Sequence, residues 1–293
     1  MNGFLNLLKP AGMSSSDGVV AVRKLLPRKT AVGHGGTLDP DAAGVLPVCV
    51  GKATRLFDYI IDKDKTYIGE LCLGIVTDTD DASGSVLSES PVSATRSDVE
   101  AVLPDFIGQI SQQPPAYCAL KRGGVPMYRL ARSGENVELE ARTVRVSSIE
   151  ISEQTAENRY LLTIKCGKGV YIRSLMRDIG EKLGCGGHMS FLIRASAGAL
   201  SAENAYTIDE LKAMTDISEA LLPMDYMLGA YPSVRLDAAL RRSIRDGKSV
   251  KAGTYEGNFC ADSYVRLYAG EEFAGMGLVE ENGDIKIKTM LLD

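Results

Sequence analysis

Gly33-His34-Gly35-Gly36-Thr37-Leu38-Asp39-Pro40-Asp41-Ala42-Ala43-Gly44-Val45-Leu46-Pro47 is the stretch that organises the rest of the chain. Gly33, Gly35 and Gly36 permit positive φ and let other backbone come close. Pro40 fixes its own φ and drives Asp39 toward an extended conformation, so Asp39 is expected on a stiff loop. Asp-Pro alone is ordinary turn chemistry. The density of glycine here, and the apolar run 45–50 that reads as a buried strand, set this case apart. A carboxylate on a rigid loop at the edge of a buried strand is well placed to act as a nucleophile. Two phosphate-loop readings fail. The dinucleotide pattern needs glycine where Leu38 stands, and the P-loop pattern ending at Gly51-Lys52 needs glycine at Leu46 and Ser or Thr at Ala53.

The 293 residues are enough for two domains, and 45% hydrophobic with 24% charged content is that of a soluble globular chain. No apolar run approaches the ~18 residues of a membrane span, and the N-terminus shows no secretory pattern, so a cytoplasmic protein is expected. Cys49, Cys72, Cys118, Cys166, Cys185 and Cys260 are scattered without C-x-x-C spacing, which predicts reduced thiols. With only two histidines, a metal site is not expected. The net charge of −5 argues mildly against nucleic acid, but phosphate is bound by a local patch. Lys121, Arg122, Arg129 and Arg132 form one acid-free basic cluster, and Lys165, Lys168, Arg173 and Arg177 another. Acids concentrate at 78–81 and 135–140, which fits a molecule with one basic face.

Residues 3–8 read as a short strand, and a serine at 14–16 can cap a helix to about Leu26. Residues 51–62 read as a helix. Residues 65–73 alternate as a strand, with Tyr67, Gly69, Leu71 and Leu73 on one side and Thr66, Ile68 and Cys72 on the other. The acidic stretch 77–84 fails as a calcium loop, because Ala82 stands where a ligand is needed and Ser83 where the turn glycine belongs. It is expected to be an exposed turn. Residues 95–103 predict a capped helix, 127–133 a helix carrying Tyr128, Arg129 and Arg132, and 143–151 and 159–166 two central strands. Gly167-Lys168-Gly169-Val170-Tyr171-Ile172-Arg173 allows a sharp strand-to-helix change, with Tyr171 and Arg173 on one face if its start is extended. Arg173 is the natural partner for Asp39 through paired hydrogen bonds, with Asp178 as its alternative acid. Residues 207–214 read as helical, and Tyr231-Pro232 reads as a linker. Beyond it come short alternating strands, with Asn282-Gly283 a hairpin signal.

The opening stretch resembles the signature of the bacterial tRNA pseudouridine synthase B family, roughly G-H-x-G-T-L-D-P-x-A-x-G-V-L-P. Lys9-Pro10-Ala11-Gly12-Met13-Ser14-Ser15 resembles that family's K-P-x-G-x-(S/T)-S, and Asp64-Lys65-Thr66-Tyr67 its D-K-x-Y strand start. Residues 112–121 resemble P-P-x-(Y/F)-S-A-x-K, with Cys118 where Ser is usual, and residues 168–175 resemble K-G-x-Y-(I/V)-R-(S/T)-L. Where the family has L-R-R, this chain has Leu192-Ile193-Arg194. The resemblance covers most of residues 3–200; beyond, it rests on position and strand pattern.

The resemblance implies an α+β pseudouridine synthase fold over residues 1–230, with a mixed, mostly antiparallel central sheet flanked by helices. A small β-barrel-like PUA domain, binding RNA, would follow over 231–293. It implies a cofactor-free isomerase acting on uridine 55 in the T-loop of tRNA. Asp39 would be the nucleophile, attacking C1′ or C6, which the sequence leaves open. Arg173 would hold it, and Tyr67 would stack on the flipped-out base. Tyr171 and Leu192 would shape the pocket, and His34, Lys9, Arg194 and Lys121 would complete the substrate-binding set, with loop support the alternative role for Lys9 and a structural one for His34. The expected partner is the tRNA T-arm, met by a monomer with no obligate protein partner and no membrane. Two other readings compete: a non-catalytic tRNA-binding or tRNA-folding protein, and a carboxylate-dependent glycoside or nucleoside hydrolase. The hydrolase needs a second, paired acid, for which the sequence offers no obvious candidate.

Overall fold

Near-continuous apolar strands at Gly3–Lys9 and Ala43–Val50 and alternating ones such as Arg159–Cys166 build one large sheet. The computed structural model describes residues 1–118, 121–122, 125–127 and 139–293. The expected helix at 127–133, with Tyr128, Arg129 and Arg132, and the side chain of Lys121 lie outside the described residues. The sheet runs in the order Leu221–Leu222, Gly3–Lys9, Ala43–Val50, Gly187–Ala197, Lys65–Leu73, Arg159–Cys166, Arg142–Ala156 and Gly108–Gln112. Val32–His34 pairs beside Ala43–Val50, and Leu200–Ser201 beside Gly187–Ala197. Among the described residues its pairings are antiparallel except that of Gly187–Ala197 with Ala43–Val50, through Ile193↔Ala43 and Arg194↔Gly44. The sheet is therefore mixed and mostly antiparallel.

Three helices begin on reciprocal capping pairs: Ser14 with Asp17 ahead of Ser15–Leu25, Thr95 with Asp98 ahead of Arg96–Val102, and Thr207 with Glu210 ahead of Ile208–Ala213. Two expectations change. Residues 51–62 form a 3-10 segment, Gly51–Leu56, followed by one helical turn, Phe57–Ile60. Ala53, Leu56 and Tyr59 are all buried, and their three-residue spacing is the one a 3-10 helix eclipses. The strand expected over 143–151 extends over Arg142–Ala156 and lies next to the sheet edge, with only Gly108–Gln112 outside it. Its far half is solvated, and Val144, Val146 and, past a register shift, Ile149 and the partly buried Ile151 reach the core.

The helix Ile172–Lys182 lies unusually close on the sheet, because two glycines leave room for it. A Cβ on Gly180 would fall 2.4 Å from the carbonyl carbon of Gly186, and one on Gly69 would fall 3.0 Å from Met176 Cε. This approach carries the first turn of the helix over the Asp39 loop.

The C-terminal part forms a separate open sheet in the order Ser233–Leu236, Tyr264–Ala269, Glu272–Val279 and Ile285–Met290. The first pairing is parallel and the others antiparallel. The hairpin expected at Asn282-Gly283 is present, with Gly283 at φ 80. The sheet does not close into a barrel. The expected linker residue Tyr231 is packed rather than loose: its ring meets Tyr59 and Tyr264 edge-on at 6.1 and 6.5 Å, and its hydroxyl donates to the Tyr59 carbonyl.

Candidate active site

The loop around Asp39 is rigid because its backbone acceptors are taken up in sequence. Each carbonyl from Gly36 to Pro40 accepts a hydrogen bond. Arg194 Nη2 donates to Gly36 O (3.2 Å) and Arg194 Nη1 to Thr37 O (3.3 Å). Ser15 Oγ donates to Leu38 O (2.9 Å) while accepting from Leu38 N–H (2.8 Å). Asp39 O takes the Ala42 N–H at 3.2 Å. Pro40 O takes the Gly12 N–H at 2.9 Å and Lys9 Nζ at 3.1 Å. The permissive backbone is needed at Gly36 (φ 132) and Gly44 (φ 113), whereas Gly33 and Gly35 do not take positive φ. Gly35 serves close approach instead, since a Cβ there would meet Ile60 Cδ1 at 2.7 Å.

Arg173 reaches this loop from the start of Ile172–Lys182. Its Nε lies 3.0 Å from Asp39 Oδ2 and its Nη2 donates to Asp39 Oδ1 at 3.3 Å, so both carboxylate oxygens are held. The guanidinium also donates to Thr79 O (3.1 Å) and Tyr117 O (2.9 Å), and lies 3.5 Å from Asp81 Oδ2. Its side chain is 6% exposed against 39% for Asp39: the cation is buried and the acid faces out. Asp178 pairs instead with Arg177, at 2.7 Å. Tyr171 and Arg173 do not share an extended face, because Tyr171 is the N-cap and the helix begins at Ile172. The Tyr171 backbone is fixed by the Gln112 side chain, which donates to its carbonyl and accepts from its N–H. Burial pushes the Tyr171 phenol up to about 12.

A cleft of about 270 Å³ opens beside Asp39, walled by Ala42, Asp81, Met189, Phe191 and Leu192. It is close to the small end of ligand clefts, roughly 300 Å³. Leu192 lines it as expected. Tyr67 lies under the loop, 8% exposed, in one apolar cluster with Leu38, Ala42 and Leu192. Burial raises its phenol. His34 ends the strand Val32–His34, and its Nδ1 is buried without a hydrogen-bond partner among the described residues. Burial, and then Arg194, lower its pKa and favour the neutral ring.

Two members of the expected substrate-binding set are turned inward. Lys9 is fully buried, and its ammonium donates to the carbonyls of Pro10, Met13 and Pro40. Burial lowers its pKa, opposed by Asp41 and Asp39. Arg194 is 1% exposed, and beyond its two bonds to the loop its Nε donates to Val45 O at 2.7 Å. Both cations hold backbone carbonyls, and neither lines the cleft. Sequence gives a side chain's charge but not its direction, and a buried carbonyl cluster attracts a cation as well as a phosphate does. Lys9→Met removes the ammonium at similar length and should lower unfolding free energy by roughly 2 kcal/mol in a denaturant titration. Gly44→Ala should cost more, roughly 3 kcal/mol in the same titration, because it combines an unfavourable φ with a Cβ 2.3 Å from Arg194 O.

The acidic stretch 77–84 is not simply exposed. Asp80 is 9% exposed, and Asp81 faces the cleft. The cleft thus holds two further carboxylates, Asp41 and Asp81, neither of which the sequence reading placed in the site. Asp81 Oδ1 accepts from Thr79 Oγ1, Ser83 N and Ser83 Oγ, while its Oδ2 faces Arg173. Ser15 and Gln112 were missed as well. Asp81 had a visible signal, the local density of acids.

A family model described as TruB family pseudouridylate synthase, N-terminal domain, matches residues 23–172. A tRNA pseudouridylate synthase B C-terminal domain model matches 173–229, and a pseudouridine synthase II TruB C-terminal model matches 232–291. The chain is 41% identical to the tRNA pseudouridine synthase B of Alkaliphilus oremlandii, covering 100% of this chain and 98% of that one. It is 41% identical to that of Clostridioides difficile strain 630, covering 99% and 98%. A solved H/ACA ribonucleoprotein bound to a substrate RNA containing 2′-deoxyuridine has a chain of similar fold, with TM-score 0.75 and 23% identity over 99% of this chain and 85% of that one.

Proposed function

Because the chain belongs to the TruB family of pseudouridylate synthases, we propose that it isomerises uridine in tRNA to pseudouridine, with Asp39 as the nucleophile. The observation that carries this reading is the two-point contact between Arg173 and Asp39 at the wall of an open cleft. The isomerisation breaks the N1–C1′ bond, joins C5 to C1′, releases the proton on C5 and leaves a proton on N1. It is redox-neutral, so its demand is for a carboxylate that can add to C1′ or C6 and leave again. Asp39 is suited to that cycle: its loop is immobile, both oxygens are oriented, and it is open to the cleft on the other side.

A base inside a folded RNA cannot reach such a cleft, so the target nucleotide must be extruded. Leu192 walls the base, and the Tyr67 ring, packed behind Leu38, Ala42 and Leu192, becomes its stacking surface once the side chains over it move aside, with the Asp39 backbone staying in place. Tyr171 and the neutral His34, which do not line the cleft itself, meet the extruded nucleotide beyond its rim. The substrate is the tRNA T-arm and the target uridine 55. Residues 1–230 carry the chemistry, and residues 231–293 form a PUA-like RNA-binding domain. The protein acts as a cytoplasmic monomer without an obligate partner. Of the two other carboxylates lining the cleft, Asp81 is occupied as an acceptor by Thr79 and Ser83, which leaves Asp41 as the acid that a paired-acid hydrolase would need. The test is carbodiimide labelling read by primer extension, since the isomerisation leaves the mass unchanged, on a tRNA transcript and on the same transcript with cytidine at position 55. Pseudouridine in the first only is expected. Equal modification of both would remove the position assignment, and none in either would remove the function.

A further inference from the structure

Arg177 stands one helical turn beyond Arg173 on Ile172–Lys182, on the same face. Each arginine spans the same two segments. Arg173 donates to Thr79 O in the acidic turn and to Tyr117 O in the segment after Gln112. Arg177 donates to the Asp80 carboxylate at 2.8 Å and to Gln113 O at 3.2 Å, so it repeats that span one turn away from the cleft. Asp178, beside it, takes two further bonds from the guanidinium and fixes its plane.

Asp80 is held in an uncommon state. It has φ 60, a conformation that aspartate and asparagine tolerate better than most residues. Its backbone is fastened to the start of the interior strand Gly187–Ala197: Met189 N–H donates to Asp80 O, and Ala82 N–H donates to Met189 O. Asp81 bridges Met189 in parallel register. The turn is therefore fastened on one side to the strand Gly187–Ala197 and on the other, through Asp80, to the helix that bears Arg173. A buried carboxylate is costly unless it is paired, and the Arg177 guanidinium is the partner that compensates it. Burial raises the Asp80 pKa, and Arg177 and then Arg173 oppose that rise.

We propose that the buried Asp80–Arg177 ion pair is a positioning latch, which sets the distance of Thr79 and Asp81 from Arg173 and so the aim of Arg173 at Asp39. The latch touches neither the reacting atoms nor the cleft, so Asp80 and Arg177 are positioning residues. It rests on the assignment of Asp39 and Arg173 to the reaction. Loss of the latch lets the turn drift, and Arg173 then divides its donors differently between Asp39 and Asp81.

The test is pseudouridine formation on a tRNA transcript with enzyme in excess, giving the saturating rate and the half-saturating concentration separately. Asp80→Asn keeps shape and backbone preference and should slow the saturating rate about tenfold. Arg177→Met leaves the Asp80 carboxylate buried without a partner and should slow it by more, about 30-fold or beyond. Adding Asp80→Asn to Arg177→Met should restore part of the lost rate, because the uncompensated charge is gone. Half-saturation should stay within about twofold throughout, since no RNA contact is touched. Arg177→Lys keeps the charge opposite Asp80 and should lie closer to wild type than Arg177→Met, which leaves a comparison if one variant does not fold. Saturating rates within twofold of wild type for both single variants would overturn the latch, as would losses that multiply in the double variant. An inactive wild type would remove the proposed function instead, so the two failures are separable.

Discussion

Asp39→Asn is expected to bind tRNA with unchanged affinity and to lose its isomerase rate by roughly 10⁵-fold or more, the scale seen when a covalent nucleophile is removed. The substitution is nearly isosteric. Its amide oxygen can still accept from Arg173, and the loop is held by carbonyl bonds that do not involve the side chain. What is lost is the nucleophilic oxygen itself. A structural aspartate in the same place would behave differently: its loss would disturb the fold and reduce binding together with rate. Thermal melting and tRNA affinity, measured on the same preparation, separate the two.

Arg173→Lys is expected to cost roughly 10²- to 10³-fold in rate with little change in tRNA affinity. Lysine keeps the positive charge but supplies no fork. In the native site the guanidinium meets both oxygens of Asp39 while also donating to Thr79 O and Tyr117 O. An ammonium at that depth can satisfy the buried carbonyls or the carboxylate, but not both in one geometry. If charge alone were the requirement, the lysine variant would retain most of its rate. Substitution by methionine would then be far worse than by lysine, and comparing the two measures how much of the effect is aim and how much is charge.

Much of the site could be read from the chain itself. The pairing of Arg173 with Asp39 crosses 134 positions, yet both ends carry local signals: a proline-stiffened acid among glycines, and a strand-to-helix switch with a cation just beyond it. The strand Lys65–Leu73 has the expected alternation, with Tyr67, Gly69, Leu71 and Leu73 buried together. What failed to show has physical reasons. Placing the helix start at Ile172 rather than beyond it changes the geometry from two residues per repeat to 3.6, which removes the shared face expected for Tyr171 and Arg173. Lys9 and Arg194 enter the substrate-binding set through the resemblance, which also lets Lys9 support the loop; the acceptors both cations reach are the protein's own carbonyls. The acidic stretch 77–84 was judged by its fit to a calcium loop, a local pattern. Its partners Arg173 and Arg177 lie almost a hundred residues away. Without knowing where that helix lands, the acids read as solvated.

The account turns on whether Asp39, clamped by Arg173, supplies the atom that reacts. Release of tritium from C5 of uridine in tRNA, followed with Asp39→Asn in excess over RNA, reads completion of the new carbon–carbon bond independently of product dissociation. No release above the enzyme-free rate, on tRNA shown to be bound, is the predicted result. Release within tenfold of the wild-type rate would contradict it.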